Sequence, residues 1–217
     1  MNYRKILLST AILAFSFHHS QNLKLNPTSA EERWKGYEQR KKLEENSILK
    51  NLEFRNVGPT TMSGRVTDID ANPENPTEFY VAYASGGLWY TNNNGTTFTP
   101  IFDREAVMTI GDIYIDWKTK TIFIGTGESN SSRSSYAGMG IYKSTDQGKT
   151  WQNLGLKDTH HIGRIVVNPE NNNEIWVAAV GHLYSPNAER GVFKTNDGGK
   201  TWKKPLSSDQ NSGAIDL

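Results

Sequence analysis

The sequence predicts an all-β chain of repeated four-stranded antiparallel units, a β-propeller. Three observations carry that prediction. An octad of the form Ser/Thr-x-Asp/Asn-x-Gly-x-Thr-Trp/Phe occurs at residues 91–98 (TNNNGTTF), 144–151 (STDQGKTW) and 195–202 (TNDGGKTW), with starts 53 and 51 residues apart. A near-constant period of this size marks a repeat architecture. Each octad follows a segment of alternating aromatic and β-branched residues: Gly87-Leu88-Trp89-Tyr90, Gly140-Ile141-Tyr142-Lys143 and Gly191-Val192-Phe193-Lys194. Such alternation reads as a strand. Two more strand-like segments precede it in every unit and one follows the octad. Four short strands in roughly 50 residues is the pattern of a propeller blade.

Within each unit the elements can be placed in order. The first strands start at Gly64-Arg65-Val66, Gly111-Asp112-Ile113 and Gly163-Arg164-Ile165, which read as equivalent positions. The second strands are residues 78–84, 121–125 and 174–180, and an Asn-Pro-Glu-Asn turn recurs at 72–75 and 168–171. The octad itself fits a hairpin tip. Asn94-Gly95, Gln147-Gly148 and Gly198-Gly199 supply the permissive backbone that tight turns need. The Asp or Asn accepts N–H groups across its own turn, and the closing aromatic covers the blade edge. Asn93, Gly95, Asp146, Gly148, Trp151, Asp197, Gly199 and Trp202 therefore read as structural. Unit one has Asn93 for Asp and Phe98 for Trp, so its hairpin is expected to be held more weakly.

The octads resemble the Asp-box, or BNR, repeat of sialidases, xyloglucanase-type glycoside hydrolases and the sortilin/Vps10 propeller. Residues 54–217 are similar to the opening blades of bacterial secreted proteins of the sortilin/Vps10-like kind. The repeat is specific for a fold and unspecific for a function.

Flanking organisation follows from composition. Arg4-Lys5 and the 12-residue apolar stretch 6–17 form an export signal, too short to span a bilayer, which takes about 20 residues. Cleavage is expected near Ser20-Gln21, with His18 an unusual residue three positions back; an uncleaved anchor is the alternative. The chain has no Cys, which excludes a lipoprotein and a disulfide framework. The organisation expected is a signal at 1–20, a helical or linker segment at 21–53, and blades at about 54–103, 104–156 and 157–209. Residues 210–217 start a fourth. Propellers close with about 4–8 blades, so the chain reads as an N-terminal fragment whose partners include further blades. Ser29 and Glu32 have capping-box spacing for a helix over 29–47, with Gly36 and many charges making its packing weak.

A net charge of +1 gives no reason to expect nucleic acid or an anionic membrane. Gly148-Lys149-Thr150 and Gly199-Lys200-Thr201 mimic the end of a P-loop, but Lys143 and Lys194 stand where its first Gly belongs. No cofactor and no metal are expected.

Candidate site residues concentrate on the face opposite the octad tips, where ligands of propellers usually bind. Unit two inserts residues 127–139 between its second and third strands, and unit three inserts 181–190. Lengthened loops on one face are commonly functional. Together with the strand heads they offer Arg65, Asp112, Arg164, Glu128, Arg133, Tyr136, His160, His161, His182 and Tyr184. Each has a bland counterpart. Arg65, Asp112 and Arg164 suit ion pairs between blades, Glu128 and Arg133 suit loop stabilisation, and the tyrosines suit blade cover. Adjacent His160 and His161 diverge in a strand-like segment, which disfavours a three-His metal site with His182. Asp68, Asp70 and Asp116 read as structural or channel-lining.

Three functions compete. One is a binding propeller of the sortilin/Vps10 type, holding a peptide or glycan with Arg, Tyr and His. The second is a glycoside hydrolase, which needs two carboxylates about 5–5.5 or 6.5–9.5 Å apart, with Asp112 and Glu128 the candidates. A sialidase form would need an arginine triad, for which Arg65, Arg133 and Arg164 lack recognisable spacing. The third is a cell-surface scaffold without a small ligand. Export points to a bacterial periplasm, cell surface or medium.

Overall fold

The computed structural model describes residues 27–52, 64–132, 135–206 and 209–217. The expected export signal, residues 53–63 at the expected start of blade one, and Arg133 lie outside these residues. Helix α1 (Ala30–Glu45) precedes three four-stranded antiparallel sheets. The first is β1 (Val66–Ala71), β2 (Phe79–Tyr83), β3 (Gly87–Thr91) and β4 (Thr99–Pro100). The second is β5 (Ile110–Asp116), β6 (Thr121–Thr126), β7 (Ile141–Ser144) and β8 (Gln152–Asn153). The third is β9 (Ile162–Asn168), β10 (Asn171–Ala179), β11 (Gly191–Thr195) and β12 (Lys203–Leu206). Strand order follows chain order in each, so these are the blades that the repeat spacing predicts. Residues 213–217 run beside blade three, where the Ala214 N–H donates to the Ala179 carbonyl at 3.0 Å.

Apolar alternation within a strand is split between two interfaces. On β6, Ile122 and Ile124 face the core shared with blade one, and Phe123 faces the core shared with blade three. Every residue of β6 is buried, so a strand of period two is covered on both sides. Where the inner strands converge the side chains shrink: Ala82, Gly125 and Ala178 pair with Asp68, Asp112 and Arg164. A Cβ on Gly125 would press into the Ile162 side chain.

The strand register corrects one equivalence drawn from the sequence. Each inner strand carries a β-bulge near its start, and the residue after it is Asp68, Asp112 or Arg164. The Arg65, Thr109 and His161 carbonyls then accept from Ala84, Gly127 and Val180 in the same way. Arg65 is thus three residues upstream of the position matched to Asp112 and Arg164. The misleading signal was Gly64: the bulge residue is Gly111 or Gly163 in two blades but Thr67 in the first. Gly111 and Gly163 are required because a Cβ would overlap the Ile162 or Ile215 carbonyl on the next segment.

Each octad closes its own hairpin, and the second and third also dock on the preceding blade. In blade two the Thr150 N–H and hydroxyl donate to Asp146 at 2.9 and 2.6 Å, and the Gly148 N–H donates to Ser144 Oγ at 2.8 Å. Blade three repeats this with Asp197, Thr201, Thr195 and Gly199. Blade one keeps the same bonds around Asn93, whose amide nitrogen takes the second acceptor's place by donating to Thr97 Oγ1 at 2.8 Å. The Trp151 Nε1–H reaches the Ile101 carbonyl at 2.9 Å, and Trp202 reaches the Leu154 carbonyl at 2.8 Å. Phe98 has no such donor and instead meets Phe79 edge to face, 6.0 Å between centroids. Gly148 and Gly199 sit at φ +85 and +89, and a Cβ there would collide with Ile101 or Leu154.

Helix α1 starts at the N-cap Ser29, which accepts the Glu32 N–H at 3.2 Å, as its spacing predicts. No residue of it is buried, yet it is tied down by directed contacts. Arg33 donates to the Gly138 and Lys157 carbonyls, Tyr37 donates to Glu105 at 3.0 Å, and Lys157 lies 3.5 Å over the Trp34 ring.

Two outcomes follow. Asp146 is held down at about 2 by its Thr150 bonds, below an unfolded value of about 3.9; Asp197 is lowered in the same way. Their contribution is complete above that unfolded value and is lost as pH falls toward about 2. Thermal melts by circular dichroism should therefore show an acid-side drop that is flattened in the Asp146→Asn, Asp197→Asn double variant. Separately, Trp202→Phe removes one interblade hydrogen bond and should cost ~1 kcal/mol in urea unfolding; an unchanged midpoint would deny the bond a role.

Candidate functional site

The octad tips and the long loops lie at opposite ends of the blades. At the tips, the Asn94 N–H donates to the Thr77 carbonyl in the turn between β1 and β2, and the Gly198 N–H donates to the Asn173 carbonyl near the start of β10. At the other end the loop after β6 meets the inner-strand starts, with the Gly127 N–H on the Thr109 carbonyl. The expected site residues among those described fall at this second end, in three groups.

The first group lines a cleft of about 390 Å³ along the inner strands, with Asp68, Asp112, Arg164 and Asp216 on its walls. Inner strands have one edge without a sheet partner, and carboxylates from the preceding blade satisfy it. Asp68 accepts the Ile113 N–H at 3.1 Å, Asp112 accepts the Ile165 N–H at 2.6 Å, and Asp70 accepts the Ile115 N–H and the Trp117 indole N–H. Arg164 stands where those blades carry an acid, and it bridges Asp112 at 3.1 Å and Asp216 at 2.9 Å. Burial pushes the Asp112 carboxyl up to about 7, and neighbouring Asp68 adds to the rise; the Ile165 N–H and Arg164 oppose it. Asp112 therefore changes charge near neutral pH, a property common in functional sites.

The second group is a stitch between blades one and two. Arg65 Nε and Nη2 both donate to the Glu128 carboxylate, the first at 2.7 Å. Ser135 Oγ, whose hydroxyl donates to the Asn130 carbonyl, lies 3.3 Å from the same carboxylate. Glu128 is fully buried. The two candidate acids thus belong to separate networks.

The third group forms a cavity of about 450 Å³ between the long loops, walled by Tyr136, His160, His161, His182, Tyr184 and Ser185. Five residues singled out from sequence thus meet in one place. Tyr184 joins the loops by donating to the Ser132 carbonyl at 2.9 Å, while its ring is 73% exposed and that of Tyr136 60%. His160 has a left-handed backbone, φ +57, which is uncommon for a residue with a Cβ and costs roughly 1–3 kcal/mol. It lays the His160 ring on the His182 ring, centroids 3.4 Å apart. His161 turns away, as the divergence of adjacent side chains predicts, and its Nδ1–H donates to the Glu128 carbonyl at 2.7 Å. Burial lowers all three imidazoles, His160 to about 3 and His161 to about 4, so the cavity wall is uncharged at neutral pH.

Asp158 joins this group without having been singled out. Its carboxylate, His160 Nε2 and His182 Nε2 lie within 4.8 Å of one another, the residues among those described that could hold a metal ion. The sequence signal was Asp158-x-His160, obscured because His160-His161 drew attention to itself. Asp216 was likewise missed beside Arg164, because residues 212–217 read only as a strand.

Comparison with known proteins agrees with the architecture. The BNR/Asp-box repeat matches residues 142–153. No curated protein matches the sequence. Among solved structures the chain is similar to a GH74 enzyme of Niastella koreensis, at 19% identity and a TM-score of 0.50, over 64% of this chain and 22% of that one. It is also similar to the GH74 xyloglucanase of Xanthomonas campestris, at 18% identity and a TM-score of 0.46, over 65% and 20%. A further likeness is to PorZ, a surface component of the type-IX secretion system of Porphyromonas gingivalis, at 19% and 0.44, over 59% and 17%. The chain spans about a fifth of the length of these structures. What the first likeness and the repeat match show is the fold, an Asp-box β-propeller.

The Asp112 carboxyl makes a prediction about pH. Its folded value, about 7, exceeds the unfolded value of about 3.9, so its folded form gains by holding a proton. That gain is full below about 4 and disappears as pH rises through about 7. Asp112→Asn keeps an oxygen for the Ile165 N–H and no longer ionises. Urea midpoints should fall between about pH 5 and about pH 8 in the parent protein and fall less in the variant; parallel curves would contradict the assignment.

Proposed function

We propose that this propeller is exported and binds a carbohydrate or peptide without cleaving it, at the cavity between the two long loops. The observation that carries this reading is the pair of exposed rings, Tyr136 and Tyr184, on loops of neighbouring blades above a wall of uncharged imidazoles. An aromatic face suits the apolar face of a sugar ring or a peptide side chain, and a concave site with few polar groups orients the rest. Such a role accords with the resemblance to sortilin/Vps10-type binding propellers. Export rests on the N-terminal Arg4-Lys5 and the apolar stretch after it. No helix among the described residues is long and apolar enough to cross a membrane.

Hydrolysis is the second reading, favoured by Asp112, an acid with a value near 7 in an open cleft beside Asp68. That chemistry calls for a second carboxylate free to act as base or nucleophile. Glu128 is fully buried and engaged by Arg65, which favours binding over catalysis.

The test is a screen of glycan and peptide arrays with the parent chain, followed by titration calorimetry on any ligand found. Tyr136→Ala and Tyr184→Ala should each weaken binding by ~1 kcal/mol, about fivefold in affinity. Affinity unchanged in both variants would sink the proposed site. Sugar release that disappears in Asp112→Asn would replace binding by hydrolysis.

A further inference from the structure

The wall of the same cavity holds an arrangement that ligand binding does not explain. His160 Nε2 and His182 Nε2 are buried and have no hydrogen-bond partner. Burying a polar atom without a partner is costly, so such atoms call for an explanation. Both face one oxygen, Asp158 Oδ1, at 3.7 and 3.5 Å, beyond the range of a hydrogen bond. Two imidazole nitrogens and a carboxylate oxygen, all within 4.8 Å of one another, form a donor set that a single ion can bridge.

We propose that Asp158, His160 and His182 bind one divalent transition-metal ion of the zinc class, with a fourth position open to the cavity. Zinc sites with three protein ligands of the N and O kind leave that position for water or another ligand. Zinc–ligand bonds of about 2.0–2.1 Å at tetrahedral angles place ligand atoms ~3.3 Å apart, close to the two spacings to Asp158. Two nitrogens and one oxygen favour such an ion over calcium or magnesium, which take oxygen ligands.

The surroundings are built for the purpose. His182 Nδ1 lies 2.8 Å from Ser185 Oγ, which accepts its proton and leaves Nε2 with its lone pair for a metal. Asn187 ties the two ligand segments together, accepting the His182 N–H at 3.0 Å and donating to the Asp158 carbonyl at 3.0 Å. Arg190 fastens the same loop through the Val180, His182 and Ser185 carbonyls. The left-handed His160 supplies the remaining ligand, directing its ring toward His182 instead of along the course of His161. The two rings stack at 20° with centroids 3.4 Å apart, so an ion bound by both Nε2 atoms requires the rings to splay from this stack.

This inference does not depend on a glycan or peptide ligand, because zinc alone is the probe. The experiment uses the tag-free chain, stripped with chelator and titrated with zinc by calorimetry, with cobalt as a spectroscopic substitute. One ion per chain is expected, with a cobalt spectrum of four-coordinate type. Asp158→Asn and His182→Gln, checked for folding by circular dichroism, should abolish binding. Ser185→Ala keeps all three ligands and should weaken binding by about 10–100-fold. A parent chain that takes up no zinc overturns the proposal, as does uptake that persists in Asp158→Asn and His182→Gln.

Discussion

The sheet of blade two has two apolar faces, and each is buried only by a neighbouring blade; the rest of the structure depends on that constraint. A blade is only four strands wide, and Ile122, Ile124 and Phe123 on one strand serve two different cores. No blade can bury its own surface, so stability resides in the interfaces, as in other repeat arrays. The close approach also dictates composition. Gly111, Gly125 and Gly163 occur where a methyl group would run into the neighbouring segment. The polar groups that this stacking strands on the inner edge are met by Asp68, Asp70 and Asp112 from the blade before.

The same arrangement explains why the chemistry collects at one end. Inner-strand acids that satisfy backbone N–H groups are committed to the scaffold, and burial pushes the carboxyl of those taken deepest, such as Asp112, up to about 7. Arg164 interrupts the series because a guanidinium cannot accept an N–H; it bridges two acids instead. The long loops are free of these duties. The loop after β6 and the loop after β10 reach across the boundary between blades two and three, joined by Tyr184 and Ser132.

Fold and site were legible in the sequence to different depths. The octad spacing, the alternation and the Asn-Pro-Glu-Asn turn led directly to three blades, because each is a local backbone requirement that leaves a local mark. Strand heads were harder. Thr67 fills the bulge that Gly111 and Gly163 fill elsewhere, and only the hydrogen-bond register shows that Asp68, not Arg65, matches Asp112. The role of Trp151 and Trp202 was half visible: covering an edge follows from their size, but the choice of the previous blade's carbonyl is a tertiary fact. The loop residues Tyr136, His160, His182 and Tyr184 were recognised as a set, since insertions on one face stand out against a period. Asp158 was not, because its part depends on where a left-handed residue two positions later sends a ring.

The joint between blades has one more implication. Trp151 and Trp202 each recognise a main-chain carbonyl, and Gly148 and Gly199 each make room for an aliphatic side chain. A connector that reads peptide bonds is nearly blind to the identity of the unit it meets. The seam at the tips therefore asks little of the side chains on the unit before it, whereas the Arg65–Glu128 and Asp112–Arg164 pairs nearer the other end are specific to the blades they join. Inserting or removing a unit would keep the tip contacts and would have to be reconciled at those charged pairs.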